Sequence, residues 1–281
     1  MKQGWKNYLI YASVVIVGGG LVFILLETVL LKNTGFEVKT LWDWMELFVI
    51  PLVLAFGAFY LNRSERNAER EIATDRQQEA ALQAYIDRMA ELLLKEKLRT
   101  TENAEVQDVA RTRTLTVLRG LDAGRKGQVI QFLYEANLIN KSDAIVHLHD
   151  ADLKDANLEA TSLEGADLKH TYLEGANMYF ANLEGADLEF ANLEGAGLTD
   201  AHLADANLIA TYLGGANLTN ANLERADLTN SRLDGANLTD AHLVDANFSY
   251  ANLMGGKVTN EQLATVKSLK GATMPDGTIH D

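Results

Sequence analysis

Few side chains in this sequence stand where chemistry would need them. His147 and His149 sit beside Asp150, a grouping in which two imidazoles and a carboxylate could share a metal ion. Arg111, Arg113, Arg119, Arg125 and Lys126 make a basic cluster that could meet nucleic acid or anionic lipid. The segment carrying them, 62–140, holds thirteen acidic and thirteen basic residues and no aromatic platform, so a solvated face or a lipid contact is the better reading. Tyr172, Tyr179, Phe180, Phe190 and Tyr212 interrupt a stretch otherwise rich in Ala, Leu, Asn, Asp and Gly, and exposed rings of this kind anchor protein interfaces. There are no cysteines, which removes disulfides, thiol nucleophiles and Cys-based metal sites. Gly18-Gly19-Gly20 lies inside an apolar run and matches close helix packing better than a phosphate loop. No nucleophile–base arrangement stands out. The expectation is a non-catalytic chain with no cofactor and no metal.

The elements that must carry these residues are uneven. Tyr8–Leu31 is apolar save for Glu27 near its end, and Trp44–Leu61 is a second apolar run with Glu46 near its start. Each is long enough to cross a bilayer as a helix. Lys2 and Lys6 before the first run, and Arg63, Arg66 and Arg70 after the second, outnumber Lys32 and Lys39 in the loop between them. The basic excess places both termini on the cytoplasmic side of a plasma (inner) membrane, with two spans forming a hairpin over residues 1–61. Glu27 and Glu46 are then interfacial.

Residues 62–140 predict a cytoplasmic helical connector and an N-terminal cap. Asn62–Leu98 has no Gly or Pro, and its charges alternate in sign. Leu82, Tyr85, Met89 and Leu92 fit an a/d stripe for barely two heptads. Packing within the chain is favoured for them, and a homo-oligomer is the alternative. Two more helices are expected near Glu105–Leu121 and Arg125–Ile139, with Gly120, Gly124 and Gly127 marking the break.

From Leu153 to Leu253 an apolar residue recurs every five positions, twenty-one times, nineteen of them Leu, with Met178 and Phe248 as the others. Two residues earlier stands Ala, replaced only by Thr161, Thr171, Thr211 and Ser231. A helix would smear a period of five over all its faces, and a straight strand would send alternate members to opposite sides. If the chain turns a corner once per repeat, every Leu points to a common axis. Ala also points inward, kept small by the corner, and the Asn or Asp between them faces out.

Units such as ANLEG, ADLKH and ANLTN resemble the pentapeptide-repeat family. The resemblance covers residues 151–255. It implies a right-handed quadrilateral β-helix, mainly β in class, with four repeats and twenty residues per coil. About five coils at ~4.8 Å would make a solenoid near 25 Å long, spanning residues 141–256. Residues 257–281 are expected as a C-terminal cap and tail, with Thr259 and Gln262 at capping-box spacing and MPDGT as a turn. Stacking would put Glu164 under Glu184 and Glu174 under Glu194. It would also separate His202 from His242 by two coils, too far to share one ion.

The net charge is −14, and residues 150–256 account for it with eighteen acids against Lys154, Lys169, Arg225 and Arg232. Two functions follow. The first is a membrane-anchored scaffold that offers a rigid acidic surface to a protein partner not yet identified, with the lipid bilayer as the other contact. The alternative is DNA mimicry, since some pentapeptide-repeat proteins resemble DNA in shape and charge and occupy the DNA site of topoisomerases. Nucleic acid itself is not expected as a partner.

Overall fold

The computed structural model describes residues 50–101 and 103–281. The first expected span and the start of the second lie outside the described residues. The chain divides into two units at Glu71/Ile72.

In the first unit, helix α1 is described over Ile50–Leu94. Its early part is apolar all round and exposed, including Leu52, Val53, Leu54, Phe56, Phe59, Tyr60 and Leu61. The helix runs unbroken past Leu61, where the sequence turns polar. No helix among the described residues is long and apolar enough to cross a membrane. Of the expected second span, only residues 50–61 fall among them.

In the second unit, α1 buries Leu82, Tyr85, Met89 and Leu92 within the chain itself. They join one apolar cluster with Leu118 of α2 (Ala104–Leu118) and with Val129, Ile130 and Leu133 of α3 (Ala123–Glu135). Tyr85 hydrogen-bonds Thr114 at 2.9 Å and meets the Phe132 ring edge-on at 6.2 Å. Burial pushes the Tyr85 hydroxyl far above its ordinary pKa, so it is a neutral structural group. Asn103 and Asp122 cap α2 and α3 by accepting from Glu105 N–H and Arg125 N–H.

The break between these helices falls at Arg119–Asp122, so Gly124 and Gly127 lie inside α3 and do not mark it as the sequence suggested. The glycine at 127 has another use. A Cβ there would sit 2.0 Å from the Asn157 carbonyl oxygen, so α3 rests directly on the first coil.

From Asp152 onward, parallel pairing joins residues twenty apart, beginning with Asp152↔Tyr172 and Asn157↔Asn177. Four repeats therefore close one coil. Each face donates and accepts along the same axis: Leu153 N–H to Tyr172 C=O at 2.8 Å, Tyr172 N–H to Ala151 C=O at 3.0 Å. At each corner the next Ala N–H bonds back to the Leu C=O, as Ala156 does to Leu153 at 3.0 Å. The residue just before that Ala is left-handed, at φ between 53° and 69° through the array. Glycine, Asn and Asp suit that corner, and they hold most of these positions.

All twenty-one central residues are buried, as are nearly all the Ala positions. Three of the four substituted positions have a side-chain hydrogen bond: Thr171 and Ser231 donate to the Leu168 and Leu228 carbonyls at 2.7 and 2.6 Å, and Thr211 to Leu188 at 3.0 Å. The outward Asn or Asp accepts from the N–H two residues on, as Asn182 does from Glu184 at 3.1 Å. Many also form ladders along the axis, such as Asn177 to Asn157 and Asn237 to Asn217, both at 3.2 Å.

Both ends of the array are closed by the chain. Asn157 N–H, which has no coil before it, donates to Ala123 C=O at 2.9 Å, and Asp167 N–H to Ile139 C=O at 2.7 Å. At the far end, α4 (Asn260–Leu263) carries a reciprocal capping box between Thr259 and Gln262, as their spacing predicts. Residues 257–281 do more than cap and trail. Pairing resumes after α4 with a slip of one residue, Asn247↔Ser268 and Asn252↔Thr273, and the chain then reverses so that Thr273 pairs antiparallel with Ile279.

Candidate functional site

The solenoid presents four faces, counted here from residues 151–155, 156–160, 161–165 and 166–170 and repeating every twenty. Five sequence-predicted aromatic residues fall on three of them. Tyr172 and Tyr212 share the first face, two coils apart; Tyr179 and Phe180 end the second; Phe190 ends the fourth. They do not form one patch.

Most of these rings are also occupied. Lys154 Nζ lies 5.6 Å from the Tyr172 centroid, and Arg232 Cζ 5.5 Å from that of Tyr212. Tyr179 folds over Gly197, where an added Cβ would come within 2.3 Å of the ring. Every other residue at that place in coils one to five is Asn, so Gly197 opens a gap in the ladder and Tyr179 fills it. Phe190 stacks on His170 at 4.9 Å, and His170 stacks on His149 at 4.2 Å. Tyr250, passed over in the sequence, lies over Gly271 in the manner of Tyr179. A lone glycine one coil further along was the available sign for Tyr179, whereas Gly271 has the left-handed φ where glycine is common. Phe180 alone among these six is without an aromatic, cationic or glycine partner among the described residues, and it is 60% exposed.

The histidines do not assemble a metal centre. His147 Nδ1 lies 3.9 Å from Asp167, and His149 Nε2 lies 3.3 Å from Asp150. No group of three candidate ligands gathers among the described residues. Asn222 stands between His202 and His242 and pairs with both.

A minority of the acids are neutralised locally. Glu174 bonds Lys154 at 3.1 Å, and that contact holds the Lys154 ammonium above its ordinary range. Lys169 reaches the buried Asp187 carboxylate at 3.1 Å and is likewise raised by it. Arg225 grips Asp205 through two bonds of 2.8 and 2.6 Å, which holds that carboxyl below the usual range. Three members of the basic cluster at 111–126 have partners within the chain. Arg125 meets Asp75, Glu79 and Asp122; Lys126 bonds Asp152 and the Lys154 carbonyl; Arg111 bonds the His149 carbonyl. Burial would raise the Asp152 carboxyl, but the Lys126 ammonium and the Lys154 N–H outweigh it, and the net shift is downward. Lys126 thus ties the cap to the first coil, Arg125 ties α3 to α1, and Arg111 reaches the backbone just before the array, while Arg113 and Arg119 form no ion pair among the described residues.

A sequence profile described as "Pentapeptide repeats" matches eight copies over residues 151–189, 186–225 and 221–260. Among solved structures, HetL, a pentapeptide repeat protein involved in heterocyst differentiation regulation from the cyanobacterium Nostoc sp. strain PCC 7120, is 34% identical. That match covers 48% of this chain and 68% of HetL at a TM-score of 0.32. Rfr23 from the cyanobacterium Cyanothece 51142 is 28% identical over 44% of this chain and 91% of its own, at a TM-score of 0.26. The plasmid-mediated fluoroquinolone resistance protein QnrB1 is 20% identical over 45% and 59%, at 0.31. No curated protein matches the chain.

Proposed function

We propose a scaffold function from one premise: the chain belongs to the pentapeptide-repeat family. The solenoid acts without catalysis, as a rigid acidic surface for a protein partner, and residues 1–61 tether it to the cytoplasmic face of the inner membrane. The observation that carries the scaffold reading is the filled interior. Every central side chain is buried, and outward Asn and Asp groups are pinned to their own backbone, so the faces are fixed surfaces. Support for the tether is the exposed, wholly apolar start of α1, which has no solvent-compatible side, followed by Arg63, Arg66 and Arg70.

The test is crosslinking in intact membranes followed by alkaline carbonate extraction. The full chain should stay in the membrane pellet and form a discrete crosslinked species. A chain lacking residues 1–61 should be released. Extraction of the full chain would overturn the tether, and absence of any crosslinked species would overturn the scaffold.

A second reading is favoured by the charge. Fourteen net negative charges over about 25 Å of solenoid are about one per 1.8 Å, close to the ~1.7 Å of duplex DNA. Acids lie on all four faces. DNA mimicry predicts that the chain inhibits a topoisomerase and that inhibition weakens steeply with salt.

A further inference from the structure

The scaffold reading leaves open which side of the solenoid meets a partner and what chemistry that partner carries. Tyr172, Tyr179, Phe190, Tyr212 and Tyr250 lie against the solenoid's own cations, glycines or rings. Phe180 stands apart. It occupies the corner between the second and third faces at φ 58°, with its ring projecting.

From Phe180 a groove of about 400 Å³ runs along the axis. One rail is the column Phe180, Asp200 and Asn220; the other is His202, Asn222 and His242. Successive members of a rail are one coil, ~4.8 Å, apart. The second face holds Glu159, Asp200 and Asp240 but no basic residue in coils one to five. None of these three acids forms an ion pair among the described residues, whereas each of the other faces carries at least one acid paired to a lysine or arginine of the array.

The groove therefore combines an uncovered ring face, an unneutralised carboxylate and a rail of imidazole and amide acceptors. A guanidinium group answers all three. It is flat and stacks on an aromatic ring, it is a permanent cation, and its five N–H donors need several acceptors in one plane. An ammonium group could use the carboxylate but could not lie flat on the ring.

We propose that this groove docks an arginine side chain presented by a partner protein, stacked on Phe180 and donating to Asp200, with His202 and Asn222 beside it. The proposal rests on the scaffold reading and assigns it a face and a partner chemistry.

The test uses the full-length chain in detergent and a fluorescein-labelled arginine–glycine peptide, with the lysine–glycine counterpart as comparison, read by anisotropy. Phe180→Ala and Asp200→Asn should each weaken the arginine peptide about five-fold. Phe180→Ala should change the lysine peptide by less than about two-fold. Glu164→Gln and Glu194→Gln remove one charge outside the groove lining and should leave both peptides within about two-fold. Far-UV circular dichroism and a thermal melt confirm that each variant keeps the fold. Native-like arginine-peptide binding by Phe180→Ala, or equal losses at Glu164 and Glu194, would overturn the proposal. In membranes, a crosslinked partner retained by Phe180→Ala would reject this groove and leave the scaffold reading standing. Loss of every crosslink in the native chain as well would reject the scaffold itself.

Discussion

The solenoid and the helical cap solve the same problem by opposite means. In the solenoid each coil supplies the next with hydrogen-bond partners and apolar neighbours, so one solution is repeated from Asp152 to Lys257. In the cap each contact occurs once. Ala123 lends a single carbonyl to Asn157, Gly127 gives way to a single oxygen, and Lys126 makes one buried bridge to Asp152. Repetition spreads the cost of an error over adjoining coils. A unique contact has nothing to spread it over. Substitutions on either side of this divide should therefore differ in reach as well as in size.

The largest expected effect is in the array. Leu193→Ala deletes a fully buried side chain between two coils that already fit, and should cost about 3 kcal/mol in urea unfolding. Hydrogen exchange should rise in the coils either side of it while the cap stays protected. Equal loss of protection in α2 and α3 would mean that the two regions unfold as one.

Next comes Gly127→Ala. Its new Cβ meets a backbone oxygen that cannot rotate away, and should cost about 2 kcal/mol as α3 lifts from the first coil. Exchange should increase at Asn157 N–H and stay low in the third coil. A native melt would show that the helix is free to shift without loss.

The smallest is Asp152→Asn, about 1.5 kcal/mol near neutral pH, because Lys126 keeps a buried ammonium with one charged partner gone. The sign of its pH dependence follows from the lowered Asp152 pKa. The bridge contributes fully above the unfolded carboxyl value near 3.9 and is lost as pH falls through the lower folded value. The native cap should thus loosen in acid below about pH 4. In the variant, the gap between native and mutant melts should shrink over that range. A constant gap would remove the bridge from the account.

The same divide governs what could be read from sequence. The period of five, the small residue two places before each Leu, and the Thr259–Gln262 spacing are local signals, and the coil and α4 follow from them directly. Gly127 was misread as a helix break because its reason is Asn157, thirty residues away in the chain and adjacent only after folding. The aromatic residues show an intermediate case. Their outward direction followed from the repeat. What each ring lies on depends on a side chain in a neighbouring coil and on the rotamer that reaches it. Tyr179 over Gly197 left a trace as a missing Asn, and Phe190 on His170 as a spacing of twenty, whereas His149 against His170, outside the array and off that spacing, left none.

The reversed strand at the end of the chain has a consequence for length. A further parallel layer, from this molecule or another, would need the N–H and C=O groups beside Thr273. Ala272 and Met274 have already given theirs to His280 and Thr278. On this one face a growing edge is thereby turned into a finished one. On that face, the edge that an open-ended cross-β fibre would extend at ~4.8 Å is already occupied.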